Sequence, residues 1–357
     1  MSSSDPLRLL LIGAGVRGRV WARVAEEDPE VRLVGIVDAD SDRAENVRSG
    51  LAADALTGAD STALLEETRP DAVIVATPPG SHHALVSDAM ERGMHVLCEK
   101  PLSDEMREVT DLVQMAEERA VQLWVGMNFR YLPTSQRIRA YTGNGRLGAL
   151  SHAQFSYLRH RDGRRDDLND YPMTMAYPLL LEQSVHHFDL IRYCYRSEVE
   201  SLVADSWRPS WSTYESDCCA SVLFRLHNGA RVNYLGTWTA SANQMSFSWR
   251  SDFEGGSLVQ REQFDDLVRV DFDPALALSG PRFKDPGQAE PEVREELEEC
   301  IPFIDDSRLL LRDFLQSVRG EAEPSTTAAD HVRTLGLVQA CTASIESGQW
   351  VRLDDIG

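Results

Sequence analysis

The strongest constraint on this chain lies near its start. An unbroken apolar run, Leu7 to Ile12, passes directly into Gly13-Ala14-Gly15-Val16-Arg17-Gly18 and then into helical spacing from Val16 to Glu27. Each glycine of such a strand–turn–helix has its own geometric task. The first lets the chain turn sharply, the second lets a pyrophosphate approach the backbone, and the third lets the helix pack on the strand. The helix start, with Val16 and Arg17 in its first turn, then offers unpaired N–H groups to phosphate oxygens. A second apolar run, Val31 to Val37, ends in Asp38, 20 residues beyond Gly18. A carboxylate at that spacing bonds the hydroxyls of an adenosine ribose and repels a 2′-phosphate. The cofactor expected is therefore NAD rather than NADP, with Arg17 and Arg43 as nearby cations working against that preference.

The same alternation continues for about the first 127 residues. Short apolar runs at Ala72–Ala76, His95–Cys98 and Gln122–Val125 are separated by helical spacing at His82–Arg92 and Glu105–Arg119. Short strands alternating with helices imply a parallel, doubly wound sheet covered on both faces. After Gly126 the pattern changes to strand-like segments: Leu150–Leu158, Val199–Trp207, Cys218–Leu226, Arg231–Thr239, Met245–Arg250 and Leu267–Phe272. One of their links is His227-Asn228-Gly229, a tight-turn sequence. These segments predict an α+β domain with a large, mostly antiparallel open sheet. The expected division is a nucleotide-binding Rossmann domain over 1–127 and a substrate-binding and oligomerisation domain over 128–357. Asp273–Pro291, rich in Pro, Gly and Ala, is expected to be a surface loop.

Composition narrows the function classes. A net charge of −21 argues against nucleic acid and anionic membrane surfaces as partners. No apolar run approaches the ~20 residues needed to span a bilayer, and no basic leader opens the chain. A cytoplasmic protein is expected. The six cysteines are scattered without chelating spacing, and the adjacent pairs His82-His83 and His186-His187 cannot share one ion at i, i+4 geometry. No metal is expected. Of the 36 basic residues only Lys100 and Lys284 are lysine. A chain that uses arginine almost everywhere but keeps lysine at 100 points to chemistry there, since arginine cannot give up a proton at useful pH and lysine can be tuned to do so.

Three groups of residues complete the reading. Thr77-Pro78-Pro79-Gly80-Ser81-His82 and Glu99-Lys100-Pro101 both follow strands, at the carboxyl edge where open α/β sheets bind ligands. On the expected helix Leu180–Tyr195, Glu182, His186 and Asp189 fall on one polar stripe at ~100° per residue, and His187 points away. With Gly126-Met127-Asn128-Phe129-Arg130 and the closing segment Thr326–Leu353, these motifs resemble the glucose-fructose oxidoreductase, inositol dehydrogenase and MocA-like dehydrogenases.

The resemblance implies that Glu99-Lys100-Pro101 closes the nicotinamide pocket and that Lys100 touches the substrate hydroxyl. It implies His186 as acid/base, with Glu182 in the place of a partner carboxylate. Thr77, Pro78, His82, Glu99 and Asn128 fall on the cofactor side, and Arg130 and Asp189 on the substrate side. The sequence departs from the family pattern with Glu182 for Asp, Ser184 for Gly and Met94 where lysine is common. The function expected is NAD-dependent oxidation of a secondary alcohol of a sugar, polyol or cyclitol, or reduction of the matching ketone. The alternatives are a glycosidase acting by transient oxidation and elimination, and a non-catalytic nucleotide-binding protein. A homodimer or homotetramer is expected from an apolar sheet face made by Val203, Val222, Phe224, Leu235 and Trp238.

Overall fold

The computed structural model describes residues 5–51, 54–163, 170–241, 245–272 and 291–355. The chain divides into two compact units, the first made of residues up to Tyr131 together with Cys300–Leu335, the second of Leu132–Glu299 with the segment from Gly336.

The first unit is built on six parallel strands: β1 (Leu7–Ile12), β2 (Val31–Val37), β3 (Leu56–Gly58), β4 (Ala72–Val75), β5 (His95–Cys98) and β6 (Leu123–Val125). Their order is β3-β2-β1-β4-β5-β6, so the winding direction reverses between β1 and β4. That is the topological switch point, where strand ends splay and leave a crevice. The helices are α1 (Val16–Glu26), α2 (Ser41–Leu51), α3 (Ser61–Thr68), α4 (His82–Glu91) and α5 (Met106–Arg119). The strands are β-branched and leucine-rich because both faces are covered; β4 is buried at every position.

The segment Cys300–Leu335, expected in the second domain, packs within the first unit. Its helix α8 (Asp305–Val318) buries Leu310, Leu311, Phe314 and Leu315 in the cluster that holds Leu7, Trp21 and Trp124. Phe314 meets Trp124 edge-on with ring centroids 5.8 Å apart. Arg308, Arg312 and Arg319 pair with Glu27, Asp28 and Glu30 at 2.5, 3.1 and 3.0 Å. The apolar face supplies most of this attachment, because ion pairs with exposed partners are worth little.

The second unit carries a nine-stranded sheet of β7 (Leu150–Leu158), β8 (Val199–Trp207), β9 (Cys219–Leu226), β10 (Arg231–Thr237), β11 (Ser246–Phe253), β12 (Gly256–Gln260), β13 (Leu267–Asp271), β14 (Glu292–Arg294) and β15 (Val351–Arg352). Its order is β14-β13-β12-β11-β7-β10-β9-β8-β15. All neighbours are antiparallel except β7 and β10, which run parallel from His152↔Arg231 to Leu158↔Thr237. The helices α6 (Pro133–Asn144) and α7 (Val185–Tyr195) pack on each other, and α9 (Ala328–Ser347) belongs to the first unit as far as Leu335 and to the second from Gly336.

The five apolar residues expected to share one free sheet face do not. Val222, Phe224 and Trp238 are buried, with Phe224 against Phe188 of α7 at 5.0 Å, while Leu235 points the other way and is 38% exposed. Alternation along β10 puts Val232 and Tyr234 inward, which sends Leu235 outward. Among the described residues no helix is long and apolar enough to cross a membrane.

Phe314→Ala is expected to cost about 3–5 kcal/mol, the usual range for emptying a fully buried aromatic position. Urea unfolding followed through tryptophan fluorescence checks it. A change below about 1 kcal/mol would mean that α8 is not part of this core.

Candidate active site

At the turn after β1 the three glycines do three different things. Gly13 has φ +103°, and a Cβ there would lie 2.4 Å from the Ala76 carbonyl oxygen. A Cβ on Gly18 would lie 1.9 Å from the Gly13 carbonyl oxygen, so α1 sits directly on the turn. A Cβ on Gly15 would meet nothing within 4 Å. Gly15 is the N-cap of α1 and makes no side-chain cap bond, and Val16 beside it is 72% exposed. An open helix start of this kind fits a dinucleotide pyrophosphate.

Asp38 follows β2, half-buried. It accepts from Ala14 N–H at 2.7 Å and from Asp40 N–H at 2.9 Å. These bonds fix the carboxylate to the glycine turn. Neither nearby arginine is uncommitted. Arg43 pairs with Asp40 at 3.3 Å. Arg17 donates to Glu99 at 2.7 Å, reaches Ser307 Oγ at 3.3 Å and lies over the Trp21 ring at 5.4 Å.

Glu99 is the buried end of this network, 6% exposed. It also accepts from Trp21 Nε1 at 2.8 Å and from its neighbour Lys100 N at 3.3 Å. Burial pushes its carboxyl up, but the charge of Arg17, the indole donor and Lys100 outweigh it, and the net shift is downward. Gly126 lies against Glu99, where a Cβ would be 3.3 Å from the carboxyl carbon. Lys100 thus leaves the carboxyl end of β5 from a backbone held by an ionised neighbour. The Lys100–Pro101 peptide is cis.

Beyond β4, Ser81 Oγ lies 2.8 Å from Thr77 Oγ1 and donates to Pro78 O at 2.9 Å. His82 is fully buried, with Nδ1 2.9 Å from Pro101 O and Nε2 2.8 Å from Thr77 O. It ties the end of β4 to the loop that follows Lys100. Burial lowers its pKa against the pull of these carbonyls and Glu99.

Asn128 and Arg130, at the end of this unit, both reach the segment that returns from the C-terminal part of the chain. Asn128 is buried and donates to Asp306 at 2.5 Å. Burial pushes the Asp306 carboxyl up to about 6, against Asn128 and Arg17. Arg130, expected on the substrate side, bonds Ser325 O at 2.8 Å and the Asp330 carboxylate. It clamps the incoming C-terminal segment. Trp21, Asp306 and Ser307 had no motif to announce them; only the fold brings them here.

In the second unit, Leu180–Ser184 is wound as a π-helix, and Val185 N–H reaches back to Leu180 O. The expected helix therefore has two windings, and the ~100° spacing holds only from Val185. Glu182 is half-buried and His186 is 6% exposed. His187 is buried, with Gln183 Nε2 3.1 Å from its Nε2 and the Tyr234 hydroxyl 3.0 Å from its Nδ1. Burial lowers its pKa to about 3. Asp189, also expected on the substrate side, is buried and faces Arg192 at 3.7 Å, which in turn grips Glu198 at 2.6 Å. Of the expected stripe, Glu182 and His186 share the first turns, while Asp189 belongs to an ion-pair chain. Among the described residues no group of three or more His, Cys, Asp or Glu side chains could share a metal ion.

Comparison with known proteins covers nearly the whole chain. Residues 7–127 match the model "Oxidoreductase family, NAD-binding Rossmann fold", residues 135–259 "GFO/IDH/MocA C-terminal domain" and residues 274–353 "Oxidoreductase family, C-terminal alpha/beta domain". An uncharacterized protein of Sinorhizobium fredii is 25% identical over 98% of this chain and 96% of its own length. A myo-inositol 2-dehydrogenase of Thermotoga maritima is 28% identical over 56% of this chain and 58% of its own. Among solved structures, an Agrobacterium radiobacter oxidoreductase in complex with NAD+, L-tartaric acid and magnesium superposes with a TM-score of 0.85. It is 19% identical, covering 99% of this chain and 100% of that one.

Two expected outcomes follow from this geometry. Gly18→Ala should lower the melting temperature by several degrees, because backbone must move to admit the Cβ. Gly15→Ala should leave melting nearly unchanged while weakening dinucleotide binding about tenfold or more; fluorescence titration and calorimetry separate the two. His187 gives a pH effect. Its folded pKa lies below its ordinary 6.5, so its contribution is complete above pH 6.5 and lost as pH falls toward 3. The loss approaches ~1.4 kcal/mol per pH unit. Urea midpoints between pH 7.5 and 5 should fall less steeply in His187→Phe; equal slopes would contradict the assignment.

Proposed function

The chain belongs to the Gfo/Idh/MocA oxidoreductase family, and on that premise we propose that it is an NAD-dependent dehydrogenase of a sugar, polyol or cyclitol. It oxidises a secondary alcohol or reduces the matching ketone. The observation that carries the reading is Lys100, one of two lysines in the chain. It follows a buried, ionised Glu99 at the carboxyl end of β5, in the same unit as an open Gly15 helix start.

Gly13, Gly15, Val16 and Gly18 would hold the pyrophosphate of NAD, and Asp38 the adenosine ribose, with its carboxylate disfavouring a 2′-phosphate. Thr77, Pro78 and His82 shape the loop after β4 on the nicotinamide side. When bound, NAD supplies the hydride acceptor. Lys100 donates a hydrogen bond to the reacting oxygen and stabilises charge that develops there. His186 takes the hydroxyl proton, a task that suits imidazole because it titrates near neutrality. Glu182, one turn before His186, orients it. Glu99 and Arg17 act through Lys100 by holding its backbone. Myo-inositol 2-dehydrogenase is the relative whose substrate class this reading borrows.

A panel of sugars, inositols and nucleotide sugars with NAD and NADP, followed by reduced-nicotinamide absorbance, tests the reading. Lys100→Met and His186→Ala should each lower kcat by roughly 10²–10⁴-fold while NAD affinity stays nearly intact. Their combined loss should be smaller than the product. His187→Ala should cost stability before activity. Turnover lost in His187→Ala but kept in His186→Ala would overturn the assignment. Release of an aglycone with no net NADH would favour the glycosidase reading.

A further inference from the structure

Two arginines and a tryptophan indole gather in the second unit around the hydroxyls of Tyr157 and Tyr214. Arg159 and Arg161 lie just beyond β7, and Trp238 just beyond β10. Arg159 N donates to Thr237 O at 2.9 Å and Arg161 N to Trp238 O at 2.8 Å, so the two extensions run on side by side. The Arg161 guanidinium, 9% exposed, lies 4.3 Å from the Trp238 ring centroid. Tyr214 backs the stack, its ring 5.6 Å from that of Trp238 and its hydroxyl donating to Arg161 O at 3.0 Å. Trp238 is 2% exposed, and its indole N–H is buried with no hydrogen-bond partner among the described residues.

The cluster centres on the Tyr157 hydroxyl. Burial pushes that group's pKa up, while Arg159, Arg161 and the Trp238 indole lie close enough to pull it back. Tyr157 donates to Gln183 Oε1 at 3.2 Å, on the π-helical turn that carries Glu182 and leads into His186. Among the described residues neither guanidinium is within ion-pair distance of a carboxylate. Asp162, next along the chain, turns its Oδ1 to Thr213 N–H at 2.8 Å and to the Thr213 hydroxyl.

A buried donor without an acceptor is unfavourable, and a buried cation needs a counter-charge. A ligand carboxylate supplies both, with two oxygens for the planar guanidinium fork and an acceptor for the indole. We infer that Arg159, Arg161 and Trp238 form a carboxylate subsite, so that the substrate is a polyhydroxy acid, an aldonate or uronate, rather than a neutral sugar. This rests on the dehydrogenase reading of the same unit's Glu182–His186 turn. A phosphate dianion is the poorer match, because walls of tyrosine and tryptophan replace little of the hydration it would lose. The net charge of −21 repels anions at long range, which makes local cations necessary for such a substrate.

The test uses the intact chain and matched probes: D-gluconate, D-glucuronate and D-galacturonate against D-glucose, D-galactose and myo-inositol. At least one acid should exceed its neutral counterpart about tenfold or more in kcat/KM, mainly through KM. Arg159→Met and Arg161→Met should each lower the acid-to-neutral ratio of kcat/KM by roughly 10–100-fold, the scale of removing one partner from a buried charge contact. Arg159→Lys should recover part of it. Melting temperature supplies a readout independent of turnover: the acids should raise it in the unaltered protein, the neutral probes should not, and Arg159→Met should abolish the rise. If Arg161→Met does not fold, having lost its stack on Trp238, Arg159→Met decides alone. Neutral probes turned over best, with no acid raising the melting temperature, would overturn the subsite and leave the dehydrogenase standing. Acids that raise the melting temperature with no probe turned over would uphold the subsite and count against the dehydrogenase. A greater rise with D-glucose 6-phosphate than with any acid would overturn the carboxylate assignment.

Discussion

A single buried carboxylate sets much of the geometry of the first unit. Glu99 is 6% exposed, and a charge so placed persists only if partners repay its lost hydration. Two of its three partner groups, Arg17 Nε and Trp21 Nε1, come from one helix, a turn apart. Satisfying Glu99 therefore fixes the rotation of α1 about its axis. The 1.9 Å that a Cβ on Gly18 would leave to the Gly13 carbonyl oxygen fixes its height above the turn. With rotation and height both set, the first turn at Gly15 and the strand end at Lys100 are held to each other through one salt bridge. The arrangement extends to α8, since Arg17 also reaches Ser307, beside the Asp306 that Asn128 bonds. Asn128 and Arg17 offset only part of the burial that holds the Asp306 carboxyl near 6.

What could be read from the sequence was what local spacing encodes. Gly13 and Gly18 act on each other across five residues, so their task is visible in a short motif. The parallel sheet was legible because each strand is apolar throughout, as a strand covered on both faces must be. Residues 300–335 were misplaced because an amphipathic helix declares which face it buries but not against what. Leu310, Leu311, Phe314 and Leu315 would read the same in either domain. Arg130 shows the same limit more sharply: its guanidinium partner Asp330 lies 200 residues away, and no spacing rule spans that distance. The parallel pairing of β7 with β10 was hidden too, since alternation gives each strand its inner face and says nothing of its neighbour's direction.

The turn that carries Glu182 and His186 is where a regular period misled most. A uniform α-helix puts residues 182, 186 and 189 on one stripe, all offered to the same surroundings. The π-helical segment Leu180–Ser184 breaks that regularity, with the bond from Val185 N–H to Leu180 O spanning five residues. Such segments cost hydrogen-bond geometry and persist where surrounding contacts or a site require them. Here the contacts are visible. Ser184 Oγ lies 2.7 Å from the Tyr234 hydroxyl, which also meets His187, and Gln183 lies between His187 and Tyr157. His187, uncharged and held at both ring nitrogens, anchors the turn to the sheet. Asp189, in the α-helical part, faces Arg192 instead, which in turn holds Glu198. One stripe in a uniform helix is thus divided between two windings, Glu182 in the π-helical turn and His186 and Asp189 in α7, and the change of winding comes just before His186.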